Sequence, residues 1–168
     1  MLLSQRESQV FRFRAWVLIG VPLAAILFQV YVPLFFPVVN FVEMPLLVLV
    51  YIALMRRSQV GGLLAGAIIG IAQDSLSKNP LGMFGICKTL VGYFAASVGM
   101  RFDVDHAFIR LLLAFFFYFF HQFFYWVMQR ALLSQQPLFD YQNWLLFGAL
   151  NAVIGVSLFH LLDKLREG

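Results

Sequence analysis

The sequence carries little charge for its length. Asp, Glu, Lys and Arg make up 12% of its 168 residues, whereas hydrophobic residues make up 62%. A soluble domain of this length carries about twice that charged fraction, because polar residues must cover its surface. We therefore expect most of this surface to face lipid. The length predicts one integral membrane domain over residues 1–168.

Motifs for catalysis and cofactor binding are also scarce. The sequence has no Gly-x-Ser-x-Gly elbow, no His-Glu-x-x-His pair and no phosphate-binding loop. Its one cysteine, Cys87, lies in an apolar segment, where we expect it to pack and not to act as a nucleophile. Asp103, Asp105 and His106 lie close together but lack further ligands for a metal. We expect Asp105 to cap a helix instead, and we predict neither an enzyme nor a cofactor.

What the sequence does contain is six apolar segments of about the length that crosses a bilayer as a helix, although the second and third are short and the fifth is long. They predict an all-α membrane protein with six transmembrane helices. The first is too long for a signal-peptide core, so we expect it to be retained as a helix. Three prolines in the stretch Pro33–Pro45 predict a loop, with Pro45 opening the second helix. The segments are about Ala15–Pro33, Phe41–Met55, Val60–Ser75, Leu81–Met100, Ala107–Leu133 and Trp144–Leu162.

The basic residues predict the orientation of these helices. The net charge of +4 could suggest nucleic acid as a partner, but most basic residues lie at the ends of apolar segments, as topology determinants do. We therefore expect no nucleic-acid partner. If the N-terminus is cytoplasmic, nine Lys and Arg fall on that side and three on the other, which predicts that both termini are cytoplasmic. The nine are Arg6, Arg12, Arg14, Arg56, Arg57, Arg101, Arg110, Lys164 and Arg166, and the three are Lys78, Lys88 and Arg130.

Glycines recur every four residues in the third segment. Gly62, Gly66 and Gly70 therefore share one face of the predicted helix. Small residues at this spacing allow a second helix to approach closely, and close packing drives helix association in lipid. We predict that this face packs against another helix.

A polar turn, "QDSLSKNPLG", follows these glycines. It predicts an external hairpin, with Asp74 at the end of the third helix and Ser77, Leu81 and Gly82 in or after the turn. Asp74 could orient the hairpin or meet a partner, or it could be a solvated carboxylate. A carboxylate is mildly unfavourable at a helix C-terminus, so Lys88 could pair with it, directly or through a bridging water. Separate solvation of the two charges is the alternative.

The fifth segment carries a polar stripe within its many phenylalanines. Its members fall at helical spacing on one face, so we expect them to face the bundle or another protein and not lipid. Whether they face inward or toward a partner stays open. They are Tyr118, His121, Gln122, Tyr125 and Gln129.

The glycines, the Asp and the Leu-Gly of the hairpin resemble the rod shape-determining protein family MreD. The run "MPLLVLVYIALMRR" is also similar to the second helix of that family, with Pro45 and Tyr51 in matching places. The resemblance is sharpest between Pro45 and Tyr93 and covers all six segments in length and topology. The matching residues of the hairpin region are Gly62, Gly66, Ala67, Asp74, Ser77, Leu81, Gly82 and Tyr93.

This resemblance implies a function. It implies a non-catalytic scaffold of the bacterial rod complex, or elongasome, in the cytoplasmic (inner) membrane, supporting side-wall peptidoglycan synthesis and rod cell shape. The expected partners are MreC and, through the rod complex, the wall transpeptidase, RodA and MreB, together with membrane lipid.

The alternative is a vitamin-binding S component of an energy-coupling-factor transporter, a class that MreD proteins resemble in fold. Such a subunit needs a polar cavity near the external side. The sequence offers Asn40, Glu43, Gln73 and Lys88 as candidates to line it.

Overall fold

The computed structural model describes residues 13–166 and is all-helical there, with six long helices. All six are long and apolar enough to cross a membrane, α2 together with the short helix before it. Arg6 and Arg12, which contributed to the predicted orientation, lie outside the described residues. The helices are α1 Ala15–Phe35, α2 Met44–Arg56, α3 Gln59–Leu76, α4 Met83–Arg101, α5 Ala107–Leu133 and α6 Tyr141–Asp163, with a short 3₁₀ helix at Pro37–Phe41 before α2.

Pro33, Pro37 and Pro45 differ in their effects on the helices around them. Pro33 lies inside α1, which continues to Phe35, so the prediction that the loop starts at Pro33 is wrong. Proline is tolerated in membrane helices where the surroundings satisfy the freed backbone groups. Pro37 opens the 3₁₀ helix and Pro45 lies in the first turn of α2, as predicted.

Helix α2 is the centre of the bundle. Every residue from Pro45 to Met55 is buried, and the helix contacts each of the other five. Its neighbours, and not lipid, therefore surround this short helix. Large apolar side chains on the outer faces of α1, α5 and α6 are exposed, including Leu34, Phe108 and Val153. Exposed apolar faces of this kind fit a lipid environment.

Helices α3 and α4 pack backbone against backbone. A Cβ added at Gly62, Gly66 or Gly70 would overlap main-chain atoms of α4, among them the carbonyl oxygens of Gly92 and Lys88. Gly92 faces Gly62 in the same way from the other side. The glycine face thus lies against a helix and not against lipid. This is the packing that the four-residue spacing of the glycines predicts.

The connections divide between two ends of the bundle. We call one end the hairpin end; it carries the turn between α3 and α4, the 3₁₀ helix and the α5–α6 loop. The opposite end carries Phe13 and Arg166, which form a backbone bridge, and is called the termini end.

A network of charged groups closes the termini end. Arg110 is 5% exposed; its Nε donates to the Val104 carbonyl at 2.7 Å, and its guanidinium bonds the Asp163 carboxylate. Tyr51 donates its hydroxyl to Asp163 at 2.9 Å. Asp105 lies 3.5 Å from the Arg110 guanidinium and makes no capping bond, so the prediction that it caps the fifth helix is wrong. Its carboxylate is drawn to the nearby guanidinium instead.

Candidate functional site

Asp74 connects the two helices of the hairpin. It lies in the last turn of α3 and is 1% exposed. Its carboxylate accepts backbone N–H groups from Gly82 at 2.9 Å, Phe84 at 3.2 Å and Gly85 at 3.1 Å. These are unpaired donors at the start of α4, where the helix dipole favours a negative charge. Asp74 therefore caps α4 from α3 and orients the hairpin; it is not a solvated carboxylate.

The other hairpin residues divide into two groups. Gly82 has φ 96°, a left-handed conformation that favours glycine, and it is the N-cap residue of α4. Ser77 follows the end of α3, where its hydroxyl donates to the Gln73 carbonyl at 2.7 Å and accepts from the Asn79 side chain at 3.3 Å. Leu81 and Tyr93 are instead 75% and 38% exposed, so they face away from the Asp74 contact. The motif therefore contains a turn-forming part and an outward-facing part.

Lys88 lies at the centre of the hairpin end and is 0% exposed. Its Nζ is 3.7 Å from Glu43 Oε2 and 3.3 Å from His121 Nε2, and it lies 4.4 Å from the centre of the Phe84 ring. Lys88 therefore makes no direct pair with Asp74 among the described residues, and the two charges are not separately solvated. The Asp74 carboxylate is hydrogen-bonded by N–H groups of α4. Lys88 instead forms an ion pair with Glu43, which lies 45 residues before it in the chain.

The polar stripe of α5 faces the bundle over its first half. Tyr118 and His121 are 3% and 1% exposed, and His121 and Tyr125 both stack on the Phe84 ring. Gln122 lines a cavity at the hairpin end, and Gln129 is partly exposed near the end of the helix. The stripe therefore contacts Lys88 through His121 and reaches one wall of the cavity through Tyr118 and Gln122.

A cavity of about 590 Å³ opens at the hairpin end, directly beside Glu43. Its walls come from the 3₁₀ helix, from α5 and from the first turns of α6. They combine aromatic rings with amide and carboxylate groups. The lining residues are Pro37, Val38, Asn40, Phe41, Glu43, Tyr118, Gln122, Asp140, Asn143, Trp144 and Phe147.

Two amide side chains fix the wall that carries Glu43. Asn151 of α6 accepts the Glu43 N–H at 2.9 Å and donates to the Phe41 carbonyl at 2.7 Å. Gln29 of α1 accepts the Met44 N–H at 3.2 Å. Phe41 also stacks on Phe147 at 5.6 Å. These contacts hold the start of α2, so the cavity is preformed.

Three buried polar atoms of the hairpin end have no hydrogen-bond partner within residues 13–166: Glu43 Oε2, His121 Nδ1 and Gln73 Oε1. Buried polar groups are nearly always paired. The ammonium of Lys88 balances the charge of Glu43 at ion-pair distance, but it does not satisfy Oε2 by a hydrogen bond. Glu43 and His121, beside the cavity, can therefore each form one further hydrogen bond.

The family model for the rod shape-determining protein MreD matches residues 10–166. The chain belongs to the MreD family. Searches of curated proteins and of solved structures returned no match. Membership in MreD supports a role in determining rod cell shape, and the six apolar helices support a multi-pass membrane protein. MreD is a family of shape-determining proteins and not a known enzyme family.

Within an MreD chain, the groups at the hairpin end are suited to recognition. No cluster of three or more His, Cys, Asp and Glu that could hold a metal ion occurs in residues 13–166. Cys87 is buried next to Lys88. The cavity instead offers a concave surface with aromatic walls and a few fixed polar groups, which is the usual form of a binding site.

Sequence reasoning did not find all the residues that build this site. It named Asn40 and Glu43 only for the transporter alternative and Lys88 also as a possible partner of Asp74. It missed Asn151, Gln29 and the pairing of Glu43 with Lys88. An isolated Asn in an apolar helix, as Asn151 is, could have been found as a polar group that needs a partner in lipid.

Proposed function

We propose that this MreD-family chain is a non-catalytic scaffold of the bacterial rod complex in the inner membrane, and that it binds MreC through the cavity at the hairpin end. Through MreC it supports side-wall peptidoglycan synthesis by the wall transpeptidase and RodA, within the rod complex that also contains MreB. The observation that carries this proposal is the preformed cavity beside the Glu43–Lys88 pair. Its aromatic walls provide apolar contact area, and Glu43, Asn143 and Gln122 provide polar contacts that select a partner segment.

The proposed orientation places the cavity outside the cytoplasm. Among the described residues, seven Lys and Arg lie toward the termini end and three toward the hairpin end. Arg110 and Lys88 are buried in ion pairs and are not loop charges, which leaves six against two. The excess at the termini end supports a cytoplasmic location for both termini.

Cysteine labelling tests this orientation. Asn79 lies in the turn between α3 and α4, and the native Cys87 is buried. We expect Asn79→Cys to react with a membrane-impermeant maleimide in cells whose inner membrane is intact. Labelling that requires permeabilisation of that membrane would place the hairpin end in the cytoplasm and contradict the proposal.

A blocked cavity tests the binding of MreC. Val38 lines the cavity and is 79% exposed, so Val38→Trp fills the mouth without disturbing the bundle. Val153 on the outer face of α6 is 58% exposed and provides the matched control. We expect Val38→Trp to lower recovery of MreC in detergent at least tenfold and Val153→Trp to preserve it, with equal thermal stability. Full recovery with Val38→Trp would contradict the assignment.

The second candidate is a small-molecule-binding subunit, as in the S components of energy-coupling-factor transporters. The observation that favours it is the cavity volume of about 590 Å³, within the range of small-molecule sites. Asn40 and Glu43 line it, but Gln73 and Lys88, the other two residues expected for such a cavity, are not among its lining residues. Saturable binding of a vitamin by the purified chain in the absence of MreC would favour this function over the scaffold.

A further inference from the structure

A second concavity lies at the opposite edge of the bundle, between α1, α2 and α3. This α1–α3 groove has a volume of about 560 Å³. Its walls are aliphatic over most of their length, and its polar groups are gathered at the termini end. The lining residues are Leu18, Ile19, Pro22, Leu23, Ile26, Ile52, Arg56, Ser58, Val60, Gly61, Leu64, Ala65, Ile68, Ile69 and Ala72.

The groove is somewhat longer than one leaflet of a bilayer is thick. On α3 the lining runs from Ser58 at the termini end to Ala72. Fourteen residues of helix span about 21 Å, whereas half of the hydrocarbon core is about 15 Å thick. The groove therefore extends from the headgroup level of one leaflet past the middle of the membrane, which is the path of an acyl chain.

The charge of the groove lies where a lipid headgroup would be. Arg56 lines its termini end and is exposed. The next residue, Arg57, has left-handed backbone angles, and its buried Nε has no hydrogen-bond partner within residues 13–166. No acidic side chain is among the lining residues. Basic pockets between membrane helices at headgroup depth favour anionic lipids.

We propose that the α1–α3 groove is a binding site for one anionic phospholipid of the leaflet at the termini end. An acyl chain lies along Leu64 and Ile68 of α3, and the phosphate meets the guanidinium of Arg56. In the proposed orientation this is the cytoplasmic leaflet, where anionic lipids supply a negative surface. The site is separate from the cavity at the hairpin end, so its occupant does not compete with MreC there.

Native mass spectrometry of the purified chain tests the headgroup contact. The probes are phosphatidylglycerol and phosphatidylcholine with identical acyl chains. We expect one phosphatidylglycerol to be retained in preference to phosphatidylcholine, and Arg56→Gln to weaken its binding about fivefold, the weight of one basic residue near an anionic surface. Arg101→Gln is the matched control, because Arg101 also ends a helix at the termini end and is exposed. Equal retention of the two lipids, or equal losses in the two variants, would overturn the proposal.

A pair of leucine variants tests the chain contact. Leu64 lines the groove and is 53% exposed, and Leu146 on α6 is 56% exposed outside it. We expect Leu64→Trp to abolish retention of phosphatidylglycerol and Leu146→Trp to leave it unchanged. A photoreactive residue at position 64 should then crosslink to lipid in cells. Retention by Leu64→Trp, or a crosslink to a protein helix instead of lipid, would overturn the proposal.

Discussion

Each end of the bundle buries a basic residue, but the two residues differ in how fully their hydrogen-bonding groups are satisfied. At the termini end, Arg110 bonds the Val104 carbonyl and Asp163, and Asp163 also accepts from Tyr51. At the hairpin end, Lys88 lies 3.7 Å from Glu43, whose Oε2 has no hydrogen-bond partner within the described chain, and a cavity opens beside it. A satisfied network fixes a structure, whereas a partly satisfied one retains capacity for a partner. We therefore propose a structural role for the Arg110 network and recognition of MreC for the hairpin end.

The largest effect is expected where the network is satisfied. Arg110→Met removes the donor set of a buried network and leaves Asp163 short of its main partner, so it should lower the free energy of unfolding by about 4 kcal/mol. Chemical denaturation in detergent measures the change. Arg101→Met, an exposed change at the same end, should stay within about 0.5 kcal/mol of the parent. If Arg110→Met matched this control, the termini-end network would not be structural.

The next effect concerns the packing that positions Lys88. Gly66 lies against the main-chain carbonyl of Lys88, so Gly66→Leu must push α4 away from α3 and should cost about 3 kcal/mol. Ile68 lies on the exposed face of the same helix, and Ile68→Leu should cost less than about 1.5 kcal/mol. Thermal unfolding of the two variants compares the faces directly. Equal melting would show that the glycine face is not a packing surface. Lost recovery of MreC at unchanged stability would instead place this face at the partner interface.

A smaller effect is expected at the cap of the hairpin. Asp74→Ala removes the acceptor for three N–H groups of α4 and should destabilise the protein by about 2 kcal/mol, the upper range for a helix cap. Asp103→Ala, at an exposed carboxylate of the α4–α5 loop, is the control and should be nearly neutral. Hydrogen exchange should show the loss concentrated in the first turn of α4. Uniform loss across the bundle would contradict a local cap.

The sequence predicts the fold well because the solvent imposes it. Every backbone polar group in lipid must be paired internally, so an apolar run of sufficient length forms a helix almost regardless of its details. The four-residue spacing of Gly62, Gly66 and Gly70 likewise defines a face without knowledge of its neighbour. Pro33 shows the limit, since the surroundings decide whether a proline ends a membrane helix.

The partners of buried charges could not be predicted in this way. Glu43, Lys88 and His121 come from three different elements and meet only because α2, α4 and α5 pack together. The acceptor of the Glu43 N–H lies on α6, 108 residues away. Local rules selected nearer partners, Asp74 for Lys88 and a helix start for Asp105. The direct Asp74–Lys88 pair and the Asp105 cap are not formed, because tertiary contacts bring Glu43 and His121 to Lys88 and Arg110 to Asp105.

The double variant Glu43→Gln/Lys88→Met tests the central claim most directly. It replaces a loosely paired buried ion pair with uncharged groups of similar size, which is often neutral for stability. Recovery of MreC in detergent and the free energy of unfolding are measured together on the same preparation. We predict at least a tenfold loss of MreC with a change in stability below about 1 kcal/mol. Undiminished recovery of MreC, or a loss of stability as large as that of Arg110→Met, would contradict the assignment of recognition to the hairpin end.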